Sequence, residues 1–209
     1  MIIGDRIPYD FGKGVGQETA ALTAKTWLNP GEAGVATFSC FGHVGSTVAD
    51  THRAPHVPFG EVHSMRPQQE WRPLPTSVVS EGRFLGDEWV HDPSFSVWAY
   101  ASSPDAHAVR IADHLASGAG DSWLVITNRR IGVVIDNNRL GDVTEPAEDS
   151  FMISLWEVPL AAVTRFSPAP LGKQSTPEWA FRIGFNDSTL DIVLLNPQEM
   201  VEYVLAALR

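Results

Sequence analysis

Apolar positions along the chain fall into two regimes. Near the N-terminus, Ala20, Ala21, Ala24 and Trp27 recur at spacings of one, three and three, which predicts a short helix from Gln17 to Trp27. Asn29-Pro30-Gly31-Glu32 reads as a turn. Gly34 to Phe41 then alternates as a strand does, with Val35, Thr37 and Ser39 set against Ala36, Phe38 and Cys40. The rhythm is lost from Gly42 to about Pro93. That segment holds Pro55, Pro58, Pro67, Pro73, Pro75 and Pro93 and sustains neither the strand nor the helix period. It is expected to be a long, Pro- and His-rich irregular excursion, pinned to the core by residues such as Phe59, Trp71, Leu74, Phe84, Leu85 and Trp89.

Regular signals return at Phe95. Phe95 to Ala101 alternates like a strand. Ser103-Pro104-Asp105 then offers a capping Ser, a Pro at the first helical position and an acid in the first turn. The helix it starts has an apolar face of Ala108, Ile111, Ala112 and Leu115 and stops at Gly118. Trp123 to Thr127, Ile131 to Ile135, Phe151 to Val158 and Val163 to Ser167 read as strands. Glu178 to Phe185 and Thr189 to Leu195 form a hairpin around Asn186-Asp187-Ser188. Asn196-Pro197-Gln198-Glu199 starts a last helix, striped by Met200, Val201, Val204, Leu205 and Leu208.

Seven strands and one amphipathic helix, counted from Phe95, resemble the pleckstrin-homology (PH) superfold, and bacterial PH-like and GRAM domains in particular. Three segments carry the likeness. The hairpin Trp123 to Ile135 is similar to that group's apolar strand, Thr-x-x-Arg, apolar strand. Trp156 to Val163 is similar to its strand, Pro-Leu, x-x-Ile/Val step. The last hairpin and helix, Phe181 to Leu208, complete the order. Leu28-Asn29-Pro30-Gly31-Glu32 echoes the segment that opens such domains. The resemblance implies an α+β, mostly β fold: a seven-stranded barrel or sandwich capped by a C-terminal helix. It divides the chain into an N-terminal helix and strand (1–41), the excursion (42–93) and a PH-like domain (94–209). The first barrel strand is either Gly34–Phe41 or Phe95–Ala101. In the former case Gly42 to about Gly120 becomes one large insertion.

Charge narrows the function. The chain carries a net charge of −10, spread over both halves: residues 1–93 have seven Lys/Arg against eleven Asp/Glu, and residues 94–209 have eight against fourteen. Neither half offers the basic field that nucleic acid or an anionic membrane requires. One cysteine, Cys40, permits no internal disulfide and no Cys-based metal site. The N-terminal residues lack a basic segment followed by an apolar run, and no stretch of about 18 apolar residues exists. A cytoplasmic protein is expected.

Candidate chemistry is sparse. His52, His56 and His63 are spaced at four and seven, and on a helix the first pair would share a face and could ligate zinc. Pro55 and Pro58 argue against a helix there, and exposed loop histidines are the plainer reading. Asp136 to Ala147 starts like a calcium loop but has Leu140 and Ala147 at ligand positions five and twelve. Cys40 reads as a small buried hydrophobe. No nucleophile elbow or phosphate-binding loop is present, and no cofactor is expected. Arg129 and Arg130 are the candidates for a phosphoinositide or other lipid headgroup. Pro55-His56-Val57-Pro58 could dock on a partner as polyproline II, with Trp71 and Trp89 beside it. The expected function is a non-catalytic PH-like binding or scaffolding module for a protein partner. Its contact surface would lie on the excursion or in a groove beside the C-terminal helix. A zinc-dependent hydrolase-like enzyme on His52, His56 and His63, and a lipid-binding domain, are the alternatives. Open sheet edges leave a homo-oligomer plausible.

Overall fold

A computed structural model describes residues 15–40, 42–66, 92, 94–118, 120–141, 148–171 and 178–209. Helix α1 (Val15–Thr26) leads into strand β1 (Gly34–Ser39). Strands β2 (His43–Val48) and β3 (Thr51–Arg53) form a hairpin, and β4 (Phe95–Ala101) precedes helix α2 (His107–Ser117). There follow β5 (Trp123–Thr127), β6 (Arg130–Asp136), β7 (Met152–Pro159), β8 (Val163–Leu171), β9 (Glu178–Phe185) and β10 (Ser188–Val193). Helix α3 (Pro197–Ala207) ends the chain.

The strands form two sheets, ordered β1-β5-β6-β7 and β3-β2-β4-β10-β9-β8. All pairs are antiparallel except β2 with β4. The core lies between the sheets, where Phe38, Leu124, Ile126, Val133, Phe181, Ile183 and Leu190 meet. Helix α2 packs on β2, β4 and β10 of one sheet and on β6 and β7 of the other, while α3 packs on β8, β9 and β1. Each helix therefore bridges the two sheets, and the fold is a sandwich rather than one closed barrel.

This architecture decides one open point and corrects one expectation. Gly34–Ser39, not Phe95–Ala101, is the strand beside Trp123–Thr127. Phe95–Ala101 lies instead between β2 and β10 in the other sheet. The described part of the excursion is not irregular throughout, because its first part forms β2 and β3. Their two-residue turn, Ala49-Asp50, has φ of 47° and 61°. That is the left-handed conformation a tight hairpin needs, supplied here without the usual Asn-Gly. The rest of the excursion, including Trp71 and Trp89, lies outside the described residues.

Helix α2 starts three residues later than the Ser103-Pro104-Asp105 signal predicts. Ala106 at its N-cap makes no side-chain bond. The β9–β10 turn caps it instead: the Asp187 carboxylate accepts from His107 N–H and the Ser188 hydroxyl from Ala108 N–H. A carboxylate at a helix N-terminus meets both its unpaired donors and its positive dipole end. In α3, Leu205 is 42% exposed and leaves the predicted apolar stripe. In α1 the buried side runs through Thr23 and Trp27, while Ala21 and Ala24 face solvent.

Trp27 crosses the outer face of the first sheet and packs with Trp123, Val125, Val134 and Met152. Gly132 makes room for it, because a Cβ there would stand 2.5 Å from the indole ring. Gly132→Ala is expected to cost about 1–3 kcal/mol by forcing this packing apart, measured as a lowered urea midpoint.

Candidate functional site

The turn between β5 and β6 carries Arg129 and Arg130, and it is tied to the turn before β1. Asn128 N–H donates to Ala33 C=O, and Asn128 Oδ1 accepts from Ala33 N–H. Arg129 donates to Gly31 C=O. Arg130 grips Glu32 with two parallel bonds, Nε to Oε1 and Nη2 to Oε2, each 3.0 Å. Its Nη1 donates to Glu157 at 2.6 Å, and Nη2 also donates to Trp27 C=O. The guanidinium lies 4.0 Å from the centre of the Trp27 ring. Burial pushes the Glu32 carboxyl up, but the bonds from Arg130, Thr127 and Asn29 outweigh it and leave its pKa below the ordinary range. Every nitrogen of the Arg130 guanidinium thus serves a protein acceptor. Arg129 and Arg130 hold two turns together; the structure gives their side chains to Gly31, Glu32, Trp27 and Glu157.

The histidines are placed apart. Ser46 and Thr47 are consecutive on β2, so their side chains leave opposite faces of the sheet. Thr47 Oγ1 contacts His52 Nδ1 at 2.8 Å on one face, beside Trp98. Ser46 Oγ contacts His56 Nδ1 at 2.7 Å on the other. His56 Nε2 meets Asp113 of α2, again at 2.7 Å. A neutral imidazole protonated at Nε2 satisfies both of its contacts, donating to Asp113 and accepting from the Ser46 hydroxyl. Both His56 nitrogens are therefore engaged, and His63 stands exposed on the following segment. Among the described residues no three His, Cys, Asp or Glu side chains come together as metal ligands.

Ser46, His56 and Asp113 have the order of a nucleophile, base and orienting acid. Their burial assigns them another role: Ser46 is 0% exposed, and the His56 and Asp113 side chains are 0% and 1% exposed. Asp113 also accepts from Phe59 N–H, Gly60 N–H and the Arg110 guanidinium. Burial raises its pKa, but His56 and the two loop N–H groups more than offset this and hold it below the usual value. The result is a buried clasp that fastens residues 54–60 to α2 and β2. Pro55 and Val57 point outward on either side of it, and Pro58 is half-buried.

An apolar surface is open to solvent at the start of α3. Where β9 begins, β10 ends and α3 starts, Trp179, Leu194, Leu195 and Pro197 line a shallow groove of about 500 Å³, with Glu178 and Gln198 at its edge. Trp179 is 43% exposed and Leu195 95%. The cause is local: β10 ends at Val193, before the predicted Leu195, so that leucine falls in the connection to α3. No protein-family model, curated protein or solved structure matches the chain.

Sequence reasoning missed the Ser46–His56–Asp113 clasp and the outward turn of Leu195. Asp113 sits one position from the apolar residue Ala112, and nothing in the spacing of Ser46, His56 and Asp113 marks them as neighbours. Trp179 did carry a signal. It is a large aromatic at the first alternation of a strand, two residues before the buried Phe181.

Proposed function

We propose that the chain is a non-catalytic, PH-like binding module for a protein partner, with its contact surface in the groove at the start of α3. Two observations support the PH-like part. Strands β1, β5, β6 and β7 form a four-stranded meander, and β8, β9 and β10 form a three-stranded one followed by a helix. Seven strands and a terminal helix are obtained once residues 40–122 are taken as an insertion after β1, contributing β2, β3, β4 and α2.

The groove carries the functional part. An exposed tryptophan beside a leucine that is 95% exposed is the kind of apolar anchor that interfaces use, since aromatic side chains dominate binding hot spots. Large apolar side chains held open to water cost free energy unless something covers them. The polar constellations of the fold are, by contrast, engaged in holding it together.

The test places a photo-crosslinking amino acid at Gln198 in the full chain, expressed in the native host. A specific protein crosslinked at Gln198, and lost when Leu195 is replaced by Asp, is the expected result. Trp179→Ala is expected to weaken the same complex by about 2 kcal/mol, roughly thirty-fold in affinity. Equal crosslinking by wild type and Leu195→Asp overturns the reading.

A further inference from the structure

We infer that residues 54–66 form a strap across helix α2 and that mild acid releases it, through protonation of His114. The inference is independent of the groove at α3 and rests on a cluster of groups elsewhere in the fold.

The strap is fastened at two places. At its first end, Phe59 and Gly60 donate their N–H groups to Asp113 of α2, and His56 joins the same carboxylate. The Arg110 guanidinium packs against Gly60. At the far end, Ser64 C=O accepts from Gly141 N–H and Arg66 N–H donates to Arg139 C=O. The strap therefore runs from α2 to the turn after β6. His63 lies between the fastenings, exposed, and near enough to His114 to act on its charge.

His114 is only 4% exposed. Its ring stacks on Trp156 of β7, with centroids 5.6 Å apart and planes at 16°. Its Nδ1 is buried and has no hydrogen-bond partner. A neutral imidazole can leave that nitrogen as an unused acceptor. An imidazolium cannot, because both of its nitrogens carry N–H, and a buried charged donor without an acceptor is costly. The Trp156 ring attracts cations, but Arg110 already lies over it, 5.2 Å from the ring centre. Asp113, the neighbouring carboxylate, is committed to four other donors. His56 is the contrasting case: a second proton there would still have the Ser46 oxygen to bond and the Asp113 charge beside it.

Burial pushes the His114 imidazole below its ordinary 6.5; Asp113 pulls it up, and the like charges of His63 and Arg110 push it lower. The other charged groups around α2 are turned elsewhere. On β6 and β7, Arg130 bonds Glu157 and Asp136 accepts from Asn138 N–H. His43, Tyr100 and Asp191 of β2, β4 and β10 each adjoin a core residue, Val44, Ala99 and Leu190, and so leave the opposite face. Asp121 pairs with Arg139, His107 pairs with Asp187, and Glu61 on the strap is exposed. A histidine held neutral in the closed protein, and regaining its ordinary value on release, stabilises closure fully above pH 6.5. That hold fades as the pH falls from 6.5 towards the lower value of the closed state.

The test is amide hydrogen exchange, followed by NMR on the full chain from about pH 8 to about pH 5 and corrected for the intrinsic pH dependence of exchange. Protection of the Phe59, Gly60 and Arg66 amides is expected to be level above pH 6.5 and to fall by up to about tenfold per pH unit below it. It is also expected to be weaker at every pH than that of the β9 and β10 amides, which exchange only on global unfolding. In His114→Phe, which keeps a ring against Trp156 but takes no proton, the fall is expected to disappear. His63→Ala, a change at an exposed site, removes a like charge beside His114 and is expected to shrink the fall. Protection independent of pH in the wild type overturns the inference, as does a fall of equal size in His114→Phe. Should His114→Phe not fold, His63→Ala decides, and a fall unchanged from wild type overturns the inference. Strap amides as protected as those of β9 and β10 overturn it too, because the strap would then open only with the whole fold.

Discussion

Asp113→Ala is expected to lower the unfolding free energy by about 3–5 kcal/mol, because it leaves several buried donors without an acceptor at about 1–3 kcal/mol each. Four donors converge on this carboxylate, from His56, Phe59, Gly60 and Arg110. Its removal leaves the two loop N–H groups and the fully buried His56 without their acceptor. Ser46→Ala removes only one neutral bond and is expected to cost about 1 kcal/mol. Urea unfolding of the two variants measures the contrast, and similar losses would mean that the carboxylate is not the centre of the clasp. The sign with pH is fixed. The folded Asp113 carboxyl titrates below its ordinary value of 3.8. Its stabilisation is therefore complete at pH values above that figure, and it is lost as acidification carries the pH down through the folded pKa. Wild type is expected to lose stability on acidification more steeply than Asp113→Ala.

The second large effect is at Arg130. Arg130→Ala strands the Glu32 carboxylate, whose side chain is 0% exposed, and is expected to cost about 3–5 kcal/mol. Arg130→Lys recovers only part of this. A single ammonium cannot span both Glu32 oxygens while reaching Glu157 and covering the Trp27 ring. Thermal unfolding at neutral pH compares the three proteins. An Arg130→Lys protein as stable as wild type would show that charge alone, without the fork, holds the turns. Glu32 repeats the pH logic of Asp113. Its folded pKa lies below the ordinary 4.5, so its contribution is present above that value and fades as pH falls below it.

Local rules were sufficient wherever the chain folds by local rules. Strands Trp123–Thr127 and Glu178–Phe185 are found with the predicted ends, because both are rich in apolar residues and bounded by turn residues. The β2–β3 hairpin was hidden because Ala49-Asp50 adopts a left-handed turn without glycine. The true start of α2 was hidden because its cap comes from Asp187 and Ser188, some 80 residues along the chain. The placement of β1 beside β5 was left open for the same reason: pairing across an insertion leaves no periodic trace. Of the candidate residues, Arg129 and Arg130 bond to Gly31 and Glu32, which were read only as a turn. The groove beside the C-terminal helix was anticipated as a place, and the residues that open it were not.

The pairing of β1 with β5 has a consequence for how the protein is made. Glu32 and Ala33 bond to Thr127 and Asn128, 95 residues away. A ribosome adds about 5–20 residues each second, so the opening strand is synthesised roughly 5–20 s before its neighbour in the sheet exists. During that interval Val35 and Phe38, both buried in the finished fold, have no sheet partner to cover them. The segment around β1 is thus a natural client for whatever shields hydrophobic chain at the exit tunnel, and β1 gains its sheet partner only once Trp123–Thr127 has been translated.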